Sequence, residues 1–110
     1  MSDQVVNLKA VKSTELAPGF RGKFLHSERM SFVYWEINKD AALPEHAHEH
    51  EQVAHMLEGE FKLVVNGKPY VLKTGDVFVI SSQARHSGTA ITDCRILDAF
   101  CPVREDYKAF

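Results

Sequence analysis

Apolar and polar positions along this chain alternate over short runs, and the three-to-four spacing of amphipathic helices is scarce. Met30 to Ile37 is rich in β-formers (Phe32, Val33, Tyr34, Trp35, Ile37) and closes on the turn residues Asn38-Lys39-Asp40. Gln52 to Leu57 repeats the pattern and ends at Glu58-Gly59-Glu60, where Gly59 can adopt a backbone conformation closed to residues with a Cβ. Phe61 to Val65 and Lys68 to Leu72 flank Asn66-Gly67, a strong hairpin signal. Pro69 cannot donate to a ladder, so it should face an edge or an unpaired position. Thr74-Gly75-Asp76 turns the chain into Val77 to Ile80, and Ser81-Ser82-Gln83 turns it again before Arg85 to Thr89. Cys94 to Phe100 is the last predicted strand. Many short strands with Gly turns predict an all-β antiparallel sandwich or barrel. Helix is expected only in short pieces such as Arg104 to Lys108, and no internal repeat is visible.

Composition narrows the partners more than the fold. A chain of 110 residues predicts a single domain, 1–110, that can bury a core without staples. Apolar content of 45% and charged content of 25% are ordinary for a globular protein. A net charge of −2, with no Lys/Arg run, argues against nucleic acid. The longest apolar stretches are strand-sized, which argues against a membrane span, and Met1-Ser2-Asp3-Gln4 lacks the cationic start of an export signal. Two cysteines are too few for a disulfide framework, and Cys94 and Cys101 fall on opposite faces of one predicted strand. A reducing cytoplasm is the expected compartment.

The chemistry concentrates in Pro44-Glu45-His46-Ala47-His48-Glu49-His50-Glu51-Gln52. His46, His48 and Gln52 share parity, so in an extended strand they would project from one face. Neutral imidazole nitrogens joined by an amide oxygen suit a first-row divalent metal. His50 shares that parity but should lie where the chain bends, facing solvent or flanking the ligands. Whether it replaces one of them stays open. His55 has the opposite parity and should point to the other sheet face, and His26 reads as a surface residue. Glu45, Glu49 and Glu51 form a solvated acidic rim.

This order of strands and ligands resembles a small single-domain cupin, a double-stranded β-helix barrel of jelly-roll type, over roughly residues 20 to 104. The first cupin motif matches His46, His48, Gln52 and Gly59. The second matches Gly75-Asp76, Val77 to Ile80 and then His86. Ser81 stands where that motif usually has Pro, Gln83 where it often has Gly, and Gln52 replaces the commoner Glu. The ending Asp98-Ala99-Phe100-Cys101-Pro102-Val103-Arg104-Glu105-Asp106 is similar to that of the KdgF-type pectin-degradation cupins, which carry an Asp, an aromatic and an Arg at the spacing of Asp98, Phe100 and Arg104. His50 to Ala54 and Leu57 to Glu60 are also similar to theirs.

The resemblance implies a metal-dependent enzyme that promotes ring opening and tautomerisation of 4,5-unsaturated monouronates to linear 5-keto-4-deoxyuronate. It implies that His46, His48, Gln52 and His86 hold one divalent ion: nickel, zinc, manganese, iron or cobalt. Asp98 would shuttle a proton, Arg104 would grip the uronate carboxylate, and Phe100 would supply a flat wall. Three imidazoles and an amide leave the cation's charge uncompensated, which favours a small anionic sugar. For Asp98 an ion pair with Arg95 or Arg104 at the mouth is the competing reading. For Arg104 it is an ordinary exposed terminal side chain. Trp35, Met56, Phe61 and Phe78 read as core. A homodimer is expected, using the predicted edge strand Phe20 to Leu25 and outward residues such as Tyr34. Two other functions fit the same ligands: an iron or manganese cupin dioxygenase, and a non-catalytic sugar or metabolite binder.

Overall fold

The structure, a computed structural model, describes residues 3–110. Ten strands follow in order: β1 (Ser13–Ala17), β2 (Phe20–His26), β3 (Ser31–Ile37), β4 (Ala42–His46), β5 (Glu51–Glu58), β6 (Glu60–Val65), β7 (Lys68–Lys73), β8 (Val77–Ile80), β9 (His86–Ala90) and β10 (Cys94–Cys101). Short 3-10 turns at Leu8–Ala10 and Glu105–Ala109 are the only helical pieces among the described residues. None of these is long and apolar enough to cross a membrane.

Strong alternation in the strands places one face of each against its opposite number. A six-stranded antiparallel sheet, ordered β1-β2-β3-β10-β5-β8, faces a four-stranded one, ordered β4-β9-β6-β7. β3 buries Ser31, Val33, Trp35 and Ile37, and β10 buries Cys94, Ile96, Asp98 and Phe100. From the smaller sheet Phe61 and Leu63 meet them. The Asn66-Gly67 hairpin joins β6 to β7, with both turn residues at positive φ. Gly59, at φ +96°, packs against the Asp93 carbonyl where a Cβ would collide. Pro69 lies on β7, an edge strand, as its missing donor requires. Cys94 is buried, Cys101 is exposed, and both are free.

Three expectations need correction. The edge of the large sheet is β1, while Phe20 to Leu25 lies inside it, between β1 and β3. Ser13–Ala17 escaped notice because its apolar positions are weak and only half-buried. His26 is not a surface residue: its Nδ1 lies 2.8 Å from Ser31 Oγ, and its Nε2 is buried. The shared parity of His46, His48 and Gln52 is not that of one strand. β4 ends at His46, and the chain bends through Glu49 and His50 and crosses to the other sheet, where β5 begins at Glu51.

Candidate metal centre and active site

His46 closes β4, and its register partner across the ladder is His86, the first residue of β9. His48 hangs from the β4–β5 crossover. The three side chains converge: one ring nitrogen from each lies within 4.8 Å of the others. Each ring is turned the same way by a short local bond. His46 Nδ1 donates to the Pro44 carbonyl at 2.8 Å, His48 Nδ1 to the His50 carbonyl at 3.0 Å, and His86 Nδ1 to the Ala84 carbonyl at 2.9 Å. Pinning a proton on Nδ1 leaves the Nε2 lone pair as the free donor, the usual arrangement around a metal.

Burial disfavours the charged form of two of these rings, His48 and His86. Desolvation, reinforced by the charges of Arg104 and His86, lowers the His48 pKa to about 4, although its bonds to Gln52 and the His50 carbonyl oppose the drop. Desolvation also lowers His86. Its Nε2 is buried without a hydrogen-bond partner. His48 Nε2 lies 3.2 Å from Gln52 Oε1. With Nδ1 carrying the proton, both of these atoms are acceptors, and a cation between acceptors satisfies both. The residues present therefore fit a divalent ion. His50 contributes its carbonyl to this arrangement, and its ring lies beside His48 with centroids 5.5 Å apart.

β5 and β10 are neighbours, and their register puts Gln52 opposite Phe100 and Ala54 opposite Asp98. Asp98 is therefore held inside, only 9% exposed. Trp35 is diagonal to it on β3, and its Nε1–H donates to Asp98 Oδ2 at 2.9 Å. The other oxygen, Oδ1, is buried without a partner. Desolvation raises the carboxyl pKa from 3.8 to about 6, against the opposing influence of Gln52, Trp35, Arg104 and His55. The Gln52 amide favours the carboxylate, yet it does not satisfy Oδ1. Among the described residues no ion pair holds Asp98, and Arg104 pairs with Asp106 instead, so the competing reading of a salt bridge to Arg95 or Arg104 is set aside.

Arg104 is equally unlike an exposed terminal arginine, being 8% exposed. Its guanidinium carbon lies 3.9 Å from the Tyr107 ring centre and 4.9 Å from that of Phe100. Its Nε and Nη2 donate to the two oxygens of Asp106, at 3.0 and 2.8 Å. The Phe100 ring in turn meets His48, with centroids 5.7 Å apart. A cavity of about 70 Å³ runs between these groups, lined by His46, His86, Gln52, Asp98, Phe100 and Arg104 among others.

Trp35, Phe61 and Tyr107 line the same cavity, so the first two are wall residues as well as core. Phe78 is only partly buried and packs on Tyr70. Trp35 was expected in the core, but its role as donor to Asp98 depends on a contact 63 residues away in sequence. Asp106 and Tyr107 carried a weak signal in their closeness to Arg104.

Two facing antiparallel sheets and a three-histidine group positioned for a metal ion define a β-barrel of the cupin class. The family model described as "Cupin domain" matches residues 33–100, and the chain belongs to that family. It is 30% identical over 96 residues to the pectin degradation protein KdgF of Dickeya dadantii, covering 84% of this chain and 87% of the relative. Among solved structures, an RmlC-like cupin from Shewanella frigidimarina superposes with a TM-score of 0.90 at 29% identity, covering 96% of each chain. KdgF from a Halomonas species gives 0.87 at 25% identity, covering 97% of this chain and 99% of the other.

Proposed function

We propose that this cupin is a metal-dependent enzyme that opens and tautomerises 4,5-unsaturated monouronates to the linear 5-keto-4-deoxyuronate. The observation that carries the reading is Asp98: a buried carboxyl with one free oxygen, lining the same cavity as His46 and His86 of the three-histidine group. A carboxyl raised to about 6 can both give and take a proton near neutral pH, as enol-to-ketone conversion demands. Similarity to two KdgF proteins supports the same chemistry.

Bound at His46, His48, His86 and Gln52, a divalent ion would supply Lewis acidity toward a substrate oxygen. Asp98 Oδ1 gives a proton to the enol carbon and takes back the one that the enol hydroxyl releases, and Trp35 holds Oδ2 so that Oδ1 stays free. Arg104 holds the uronate carboxylate, Phe100 walls the sugar ring, and the uncharged ligand set leaves the site attractive to an anion. The outer face of the large sheet, where Tyr34, Leu97, His55 and Val77 lie in register, joins two copies. Val79 on that face is 61% exposed, and Val79→Lys should convert the dimer to monomer in sedimentation.

Metal-loaded protein mixed with an unsaturated monouronate should bleach the absorbance of its conjugated double bond, and Asp98→Asn should slow this at least a hundredfold, the scale of a lost general acid or base. Full activity in Asp98→Asn would remove the proton-transfer role, and an inert wild type would remove the reaction.

A further inference from the structure

The C-terminal turn places a second carboxylate beside the site that the chemistry above does not use. Asp106 takes the Nε–Nη2 edge of Arg104 with both oxygens, and the guanidinium also lies against the rings of Tyr107 and Phe100, which meet each other edge-on. We propose that Asp106, together with Tyr107, is a positioning residue that locks Arg104 by one edge and so presents the opposite, Nη1-bearing edge to the carboxylate of a small organic acid in the cavity. This rests on the reading of Arg104 as the carboxylate holder.

The geometry favours positioning over mere neutralisation. The Asp106 side chain is 58% exposed whereas that of Arg104 is 9% exposed, so water screens the acid's charge while the cation remains inside. Arg104 lines the same cavity as His46 and His86, so its positive charge stays beside the site despite the partner. A guanidinium fork offers two edges, each matched to one carboxylate. Spending one edge on Asp106 fixes the plane and the direction of the other. The rotamer freedom that a loose arginine would lose on gripping a ligand is thereby lost beforehand. The turn is itself tied down: Arg104 N–H donates to the buried Ser31 Oγ at 2.7 Å, Tyr107 N–H donates to the Arg104 carbonyl at 3.0 Å, and the Tyr107 ring packs edge-on against Phe24.

The test compares nickel-loaded wild type with Asp106→Asn and Asp106→Glu. KM and kcat are measured on an unsaturated monouronate. Binding of galacturonate, and of galactose as its neutral counterpart, is followed by fluorescence of Trp35, the single tryptophan. Asp106→Asn should raise KM and the galacturonate Kd about tenfold, the scale of one charge-assisted contact misplaced. It should leave kcat largely intact and galactose binding unchanged, and Asp106→Glu should recover part of the loss. An unchanged or lower KM would overturn the inference, as would equal weakening of galactose and galacturonate, or a wild type that does not prefer galacturonate. If wild type fails to turn over the unsaturated sugar yet Asp106→Asn still weakens galacturonate selectively, the clamp stands and only the reaction reading falls.

Discussion

Asp98→Asn should make the metal-free protein more stable at pH 8 and leave it nearly unchanged at pH 4. Burial lifts the Asp98 pKa from 3.8 to about 6, so the folded state binds this proton more tightly than the unfolded chain does. A raised folded-state pKa contributes stability that is fully present below the unfolded value of 3.8. That contribution is lost as pH rises through about 6. Moving a carboxyl by roughly two pH units corresponds to about 3 kcal/mol, an order-of-magnitude figure, above pH 6. Asparagine carries no charge to desolvate, and its carbonyl can still accept from Trp35 Nε1. His48 titrates with the opposite sign: its pKa, lowered to about 4, makes stability fall as pH drops from 6.5 toward 4. That loss is common to both proteins and cancels in the difference. Urea unfolding followed by Trp35 fluorescence across pH 4–8, with metal stripped, should show the Asn-minus-Asp difference growing from near zero to about 3 kcal/mol. A difference that does not depend on pH would refute a buried, uncompensated carboxyl. The stabilised variant should also be the inactive one, as expected where function requires a strained group.

Gln52→Glu adds a carboxylate beside His48 and should tighten nickel binding while raising KM for an anionic sugar, each by about tenfold, checked by metal titration and steady-state kinetics. Gly88 has no Cβ where the Phe61 ring lies against β9, so Gly88→Ala should cost about 1–3 kcal/mol through overpacking and lower the melting temperature. Trp35→Phe removes the donor to Asp98 Oδ2, and at pH 8 it should cost about 1–3 kcal/mol more than at pH 4, where the carboxyl is neutral; chemical unfolding at the two pH values measures this.

Much of the architecture was legible because period-two alternation and turn residues are local properties. The β3 and β10 runs and the Asn66-Gly67 hairpin appear in the structure as the pattern predicts. His46, His48 and His86 do converge, although the strand-parity argument that joined the first two to Gln52 is not how the chain achieves it. What stayed hidden is what depends on tertiary contact. Ser13–Ala17 forms an edge strand through its pairing with β2 rather than its own composition. Nothing local reveals that Trp35 reaches Asp98, and the nearness of Asp106 to Arg104 in sequence only weakly signals that Arg104 answers to it rather than to Asp98. Gly22 shows the same limit: a Cβ there would lie 2.9 Å from the Trp35 ring, so a glycine on β2 makes room for the ring that orients the acid on β10.

The central claim is that uncharged side-chain donors, with their lone pairs turned inward, hold one divalent ion. Nickel titrated calorimetrically into chelator-stripped protein tests it. The account predicts saturation at one ion per chain and loss of binding in His86→Ala. Absence of binding in the wild type, or equal affinity in His86→Ala, would contradict it.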